Sequence, residues 1–178
     1  MKTILYGCLA VVILAASAFT LITSSPWQIA DGYSVAFSCN EAAGEFRDFK
    51  GTIAFDETQT TLSKFDVTID VNSINTGNGL QNKHAKSDEW FDAAKYPSIH
   101  YNSQKIVKTA GGYSSTGELE MHGVKKPLTI PFSFQRTPKG GVFTGKFAVN
   151  RVDFGIGKAG GEVDEQINIE LKVPVTAK

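Results

Sequence analysis

The sequence predicts an all-β domain, an eight-stranded antiparallel up-and-down barrel with one helix inserted between the third and fourth strands. Two observations carry this. Apolar residues alternate with polar ones at period two through eight successive segments. The chain also sets 12 Phe, 5 Tyr and 2 Trp beside 17 Gly in 178 residues, a combination of aromatic-rich strands with glycine turns. Sequential strands with one apolar face each and short connections bury those faces most simply by curling the sheet on itself; a sandwich is the second choice.

Tyr33, Val35, Phe37 and Cys39 share one face of the first strand, opposite Ser34, Ala36, Ser38 and Asn40. Phe49, Gly51, Ile53 and Phe55 mark the second strand, and Phe65, Val67, Ile69 and Val71 the third. Leu80, His84, Ser87 and Phe91 then recur at i, i+4, i+7 and i+11 with Trp90 beside them, which predicts a helix leaning across a barrel mouth, either as a lid over the entrance or as a plug of the barrel end. After Pro97 comes the fourth strand, Ile99, Tyr101 and Ser103. Gly111-Gly112 turns the chain into the fifth, with Gly117, Leu119 and Met121 on one face, and His122-Gly123 turns it into the sixth, with Leu128, Ile130, Phe132 and Phe134. Pro127 and Pro131 predict an edge or bulged position for that sixth strand. Phe143, Phe147 and Val149 follow Gly140-Gly141, and Val163, Ile167, Ile169, Leu171 and Val173 mark the last strand.

Residues 1–26 read as an address. Met1-Lys2-Thr3 carries one positive charge, Ile4 to Ile22 is almost wholly apolar, and Ala16-Ser17-Ala18 fits a small-x-small processing site. A cleaved signal peptide is the first reading and a membrane anchor through residues 4–22 the alternative. No linker or repeat divides residues 27–178, which are expected to form one exported domain. Cys8 lies in the leader and Cys39 is the only other cysteine, so no disulfide staples the mature domain. The 18 basic and 18 acidic side chains cancel without any Lys/Arg block, which argues against nucleic acid as a partner.

Candidate chemistry is sparse. His84 and Asp88 stand at i, i+4 but have no GxSxG-type nucleophile near them, and a surface pair is the plainer reading. Asp66 and Asp70 share the outward face of the third strand, where solvated carboxylates are the rule. Gly155 and Gly157 in Asp153-Phe154-Gly155-Ile156-Gly157 read as a turn or bulge before they read as a phosphate loop. His84, His100 and His122 share no metal-ligand spacing, so neither a metal nor a catalytic residue is assigned. The apolar faces remain. Phe37, Phe65, Ile69, Tyr101, Leu119, Phe132, Phe147 and Ile169 should face inward, and Asp66, Thr68, Asp70, Asn102 and Glu120 outward. Gly51, Gly117 and Gly145 on the inner face are expected to leave room for an apolar ligand.

Ser73-Ile74-Asn75-Thr76-Gly77-Asn78, then His84, then Asp88-Glu89-Trp90-Phe91-Asp92 and Lys95-Tyr96-Pro97 resemble in order and spacing the central signature of the YceI-like family of lipid- or polyisoprenoid-binding proteins. The resemblance continues through Gly117-Glu118-Leu119, Gly123-Val124-Lys125-Lys126-Pro127-Leu128 and Arg151-Val152-Asp153-Phe154-Gly155-Ile156-Gly157. It implies a lipocalin-like barrel of the bacterial periplasm, often a homodimer, that holds an isoprenoid-like or quinone-like lipid and has no catalytic residues or other cofactor. The residues expected to meet such a ligand are Phe37, Phe65, Ile69, His84, Trp90, Phe91, Tyr101, Leu119, Phe132, Phe147, Phe154 and Ile169. Four positions depart from the family pattern. Gln81-Asn82 stands for the usual Arg-Asp, Ala85 for Leu, and Trp90 for Phe, the last adding an indole N–H that needs a partner. Two other functions stay open at this point, an exported hydrolase or isomerase using His84, and a lipid-free barrel that binds a protein partner.

Overall fold

A computed structural model describes residues 26–177, so the leader expected over residues 1–26 lies almost entirely outside the described residues. The chain runs through β1 (Pro26–Ile29), β2 (Ser34–Ser38), β3 (Ala43–Phe46), β4 (Phe49–Ala54), β5 (Lys64–Asp70), β6 (Ile74–Asn75), helix α1 (Gly79–Ala85), β7 (Ser98–Thr109), β8 (Gly112–Met121), β9 (Val124–Thr137), β10 (Gly140–Asn150) and β11 (Gln166–Ala177). Every strand pairing is antiparallel, and β1 closes the sheet by bonding both β4 and β11. β1 and β2 follow one another along β11, with Trp27 opposite Ala177 and Val35 opposite Leu171, so together they occupy one place in the wall. β3 and β4 share a second place, interrupted at Arg47 and Asp48. The result is the predicted eight-stranded up-and-down barrel. The four-residue β1 escaped the sequence reading because Trp27 and Ile29 give too short an alternation to register.

The inner-face glycines do something other than leave room. A Cβ on Gly51 would lie 2.2 Å from the Asp66 carbonyl oxygen, and one on Gly117 would lie 2.3 Å from that of Asn102. Both glycines let neighbouring backbones approach and the sheet coil, and Gly117 sits opposite the irregularity between Ser103 and Lys105 that bends β7. Gly117→Val should therefore cost about 1–3 kcal/mol or more by denaturant midpoint. Gly111→Ala, which has open space around it, is the control expected to be near neutral.

The prolines of β9 act as read, but over half the strand. Two-residue turns flank β9 at His122-Gly123 and Pro138-Lys139, and both place residues 125, 127, 129, 131, 133, 135 and 137 in the hydrogen-bonding phase toward β10. The ladder to β10 runs from Thr137↔Gly140 to Phe132↔Gly145 and stops where the next N–H would be that of Pro131. Val124 to Pro131 thus bond to β8 alone, leaving a seam in the wall.

The interior is divided along its axis. At the end carrying the Gly111-Gly112 turn, Phe55 packs against Phe65, Tyr113, Phe132, Phe134 and Phe143 at ring-centroid distances of 5.0–6.2 Å. Ile53, Ile106, Val173 and Val175 complete this plug. The other end, under α1, carries a second apolar cluster arranged around open space.

Candidate ligand-binding site

That open space is a cavity of about 510 Å³, within the range that takes a small-molecule ligand. Its wall comes from Val35 and Phe37 of β2, Val67 and Ile69 of β5, Ile99 and Tyr101 of β7, Leu119 and Met121 of β8, Leu128 and Ile130 of β9, Phe147 and Val149 of β10, and Ile167, Ile169 and Leu171 of β11. Phe37, Ile69, Phe147 and Ile169 are only half-buried although they point inward, because they face space and not other side chains. Leu128 and Ile130 line the cavity on one side of the seam, and Phe147 and Val149 on the other.

Of the twelve residues singled out from sequence, Phe37, Ile69, His84, Trp90, Phe91, Tyr101, Leu119, Phe147 and Ile169 line the cavity. Three do not. Phe65 and Phe132 face inward but lie in the aromatic plug, because period two tells which way a side chain points and the stagger of the strands sets its height in the barrel. Phe154 is 4% exposed beneath the mouth, in a 3₁₀ turn whose carbonyl oxygen lies 3.0 Å from Nδ1 of His122.

The mouth segment is not one helix to residue 91. Asn78 caps α1 by accepting from the N–H groups of Leu80 and Gln81, and the helix ends at Ala85. Beyond it the Ser87 hydroxyl donates to the His84 carbonyl at 2.7 Å, in competition with helical bonding, and Asp92 adopts a left-handed φ of 43°. Ser87, Trp90 and Phe91 therefore stand on consecutive turns. The His84–Asp88 pairing also falls away, since Asp88 is off the helix. Leu80, expected on an apolar stripe, is 80% exposed at the rim. Asn82 Oδ1 accepts from both the backbone N–H and the hydroxyl of Thr76, at 2.8 and 2.9 Å, so the change from the family's Asp leaves an acceptor where the loop needs one.

The indole of Trp90 finds its partner, donating to Nε2 of His84 at 2.7 Å. Its ring lies under the guanidinium of Arg151, 5.1 Å away. Arg151 is a cavity residue that the sequence reading missed. It is 4% exposed and clamps the loop between β10 and β11 by donating to the carbonyls of Ile156, Lys158, Val163 and Asp164 at 2.7–3.0 Å. The signal was available, one Arg between an apolar strand and two turn glycines, Gly155 (φ 72°) and Gly157 (φ 63°). The neighbouring charges at the mouth did not single it out.

At the cavity floor the Tyr101 hydroxyl meets Oγ of the fully buried Ser115 at 2.8 Å. Burial pushes the Tyr101 phenol up, and the Ser115 bond offsets this in part. A raised folded value favours the neutral phenol. Its contribution to stability is complete below the ordinary value near 10 and is lost as pH rises through the raised value. Thermal melts across alkaline pH should show a steeper decline for the native chain than for Tyr101→Phe, whose baseline is lower by about 1 kcal/mol for the lost hydrogen bond. Tyr113, also raised by burial, keeps part of the slope in both.

Comparison with known proteins agrees with this architecture. A UPF0312 protein of Vibrio campbellii is 36% identical over 136 residues, covering 71% of this chain and 72% of that protein. Among solved structures, Burkholderia cenocepacia BcnA matches with a TM-score of 0.73 at 26% identity, covering 79% of this chain and 94% of BcnA. A polyisoprenoid-binding domain from Saccharophagus degradans shares the fold with a TM-score of 0.68 at 16% identity, over 88% of this chain and all of that domain. The family model for the YceI-like domain matches residues 27–175, the whole barrel, and the chain belongs to the YceI-like family.

Proposed function

We propose that this protein is a non-enzymatic carrier or reservoir for an isoprenoid-like lipid, exported from the cytoplasm and working in the periplasm or outside the cell. The observation that carries this is the mainly apolar cavity, walled by aliphatic and aromatic side chains from all eight places in the barrel wall, with its charged groups at one mouth. Each buried CH2 contributes about 0.8 kcal/mol, so a five-carbon unit supplies roughly 3–4 kcal/mol before ordering costs. A single neutral hydrogen bond to the head supplies about 1 kcal/mol. Affinity then follows the tail first. The polyisoprenoid-binding domain of the same fold supports this choice of ligand class. An exported hydrolase using His84 is less well supported, since Nε2 of His84 is occupied by the Trp90 indole.

Native mass spectrometry with organic extraction, on protein purified from its own host, should find a chain-like lipid at about one per barrel; a protein consistently free of lipid would refute the carrier. Ile69→Asp places a short, unpaired charge on the cavity wall and should reduce retained lipid more than tenfold, with a smaller fall in melting temperature. Fractionation and N-terminal sequencing test export, and a cytoplasmic chain that keeps Met1 would contradict it.

A further inference from the structure

The carrier reading leaves the head group unassigned, and the mouth holds a charge that the protein itself does not neutralise. Arg151 is buried, carries a guanidinium charge, and lines a mainly apolar cavity. Among the described residues it forms no ion pair. Its four carbonyl partners satisfy hydrogen bonds without cancelling the charge, and of the five guanidinium N–H groups one on Nη1 remains unused. Of the carboxylates around it, Asp164 accepts from the Asn40 N–H, Glu165 accepts from Asn150 and Gly160, and Asp153 pairs with Lys126, while Glu89 and Glu162 are exposed to water. Glu41 is also at the cavity lip but is exposed, where water screens it. His84 accepts from Trp90 at Nε2, so its proton is on Nδ1, and that N–H has no partner among the described residues. Trp90 joins the two groups, bonded to His84 and stacked on Arg151.

We propose that Arg151 and His84 form a head-group site for an anionic oxygen, a phosphate or a carboxylate, at the end of the apolar chain. The proposal rests on the carrier reading and deepens it. Arg151 is buried while His84 is exposed at the rim, so an anionic oxygen gains a charge-assisted hydrogen bond from the buried guanidinium and a second bond from the imidazole, which a hydroxyl head cannot match.

The test uses the full mature protein stripped of lipid and four probes in two matched pairs: farnesyl phosphate with farnesol, and palmitate with hexadecanol, titrated by tryptophan fluorescence. At least one anion should bind roughly tenfold more tightly than its alcohol. A preference in the phosphate pair alone assigns a phosphate head, and one in the acid pair alone assigns a carboxylate. Equal binding within both pairs, or tighter binding of the alcohols, overturns the head-group site and leaves the carrier standing. Failure of all four probes to bind overturns both. Arg151→Gln, checked for native circular dichroism, should level the preference, read as the ratio of anion to alcohol affinity within each pair; a preserved ratio overturns the role of Arg151. Should that variant fail to fold, His84→Phe reads the same site and is expected to reduce the preference a few-fold, with no change overturning the part given to His84.

Discussion

Phe55→Ala is expected to lower stability by about 3–5 kcal/mol, the range for removing a buried Phe ring, which is roughly 6–20 °C in Tm for a domain of this size. Phe55 is 3% exposed and touches five other rings, so its loss opens a void that rigid neighbours in several strands cannot all close. It does not line the cavity, and lipid carried by the folded fraction should be retained. A shift under about 2 °C, measured by calorimetry, would show that the plug is not a main source of stability. The contrast with Ile69→Asp is diagnostic. One end of the barrel is packed solid and the other encloses the cavity, so the two variants should fail in opposite ways.

Trp90→Ala is expected to raise the rate of lipid release by about tenfold or more while lowering Tm by only a few degrees. Trp90 is half-buried, lines the cavity and connects His84 to Arg151, the position of a gate. Phe91 beside it packs edge-on to Phe46, 6.1 Å between centroids, and anchors the same turn to the barrel. If Trp90 were a structural stopper, its loss would cost about 3–5 kcal/mol and leave release unchanged in the protein that stays folded. Stopped-flow release and a thermal melt on one preparation separate the two.

The barrel was legible because each strand repeats one local rule. Phe65, Val67, Ile69 and their counterparts state their facing by parity alone, and parity survives any error in strand ends. The split between plug and cavity was not legible, because it depends on how far each strand is shifted along its neighbour. Phe65 and Ile69 share a face of β5 and end in different halves of the interior for this reason. The helix was overextended through Ser87, whose hydroxyl bonds the chain it should have continued. Gly51 and Gly117 were assigned the wrong purpose, since a missing side chain is equally consistent with a void and with a close backbone, and only the partner strand decides. The indole of Trp90 was the reverse case: an N–H on a half-buried ring demanded an acceptor, and His84, six residues earlier, provides it.

The seam between β9 and β10 has a bearing on how this protein behaves in a crowd. A strand bonded on one side only is a template on which another chain can add a strand, and exposed edges of this kind are how β proteins polymerise. Between Val124 and Pro131 the free side is proline at two of its four outward-bonding positions, 127 and 131, with Lys125 and Thr129 at the other two. Strand addition needs the donors that the two prolines lack, and the Lys125 ammonium further discourages a second copy from docking there. The residues that open the wall beside the cavity are thus the same ones that keep the opening from seeding assembly. Replacing both prolines by residues with an N–H would either extend the β9–β10 ladder and seal the slit or leave an edge competent for aggregation, and light scattering would tell these apart.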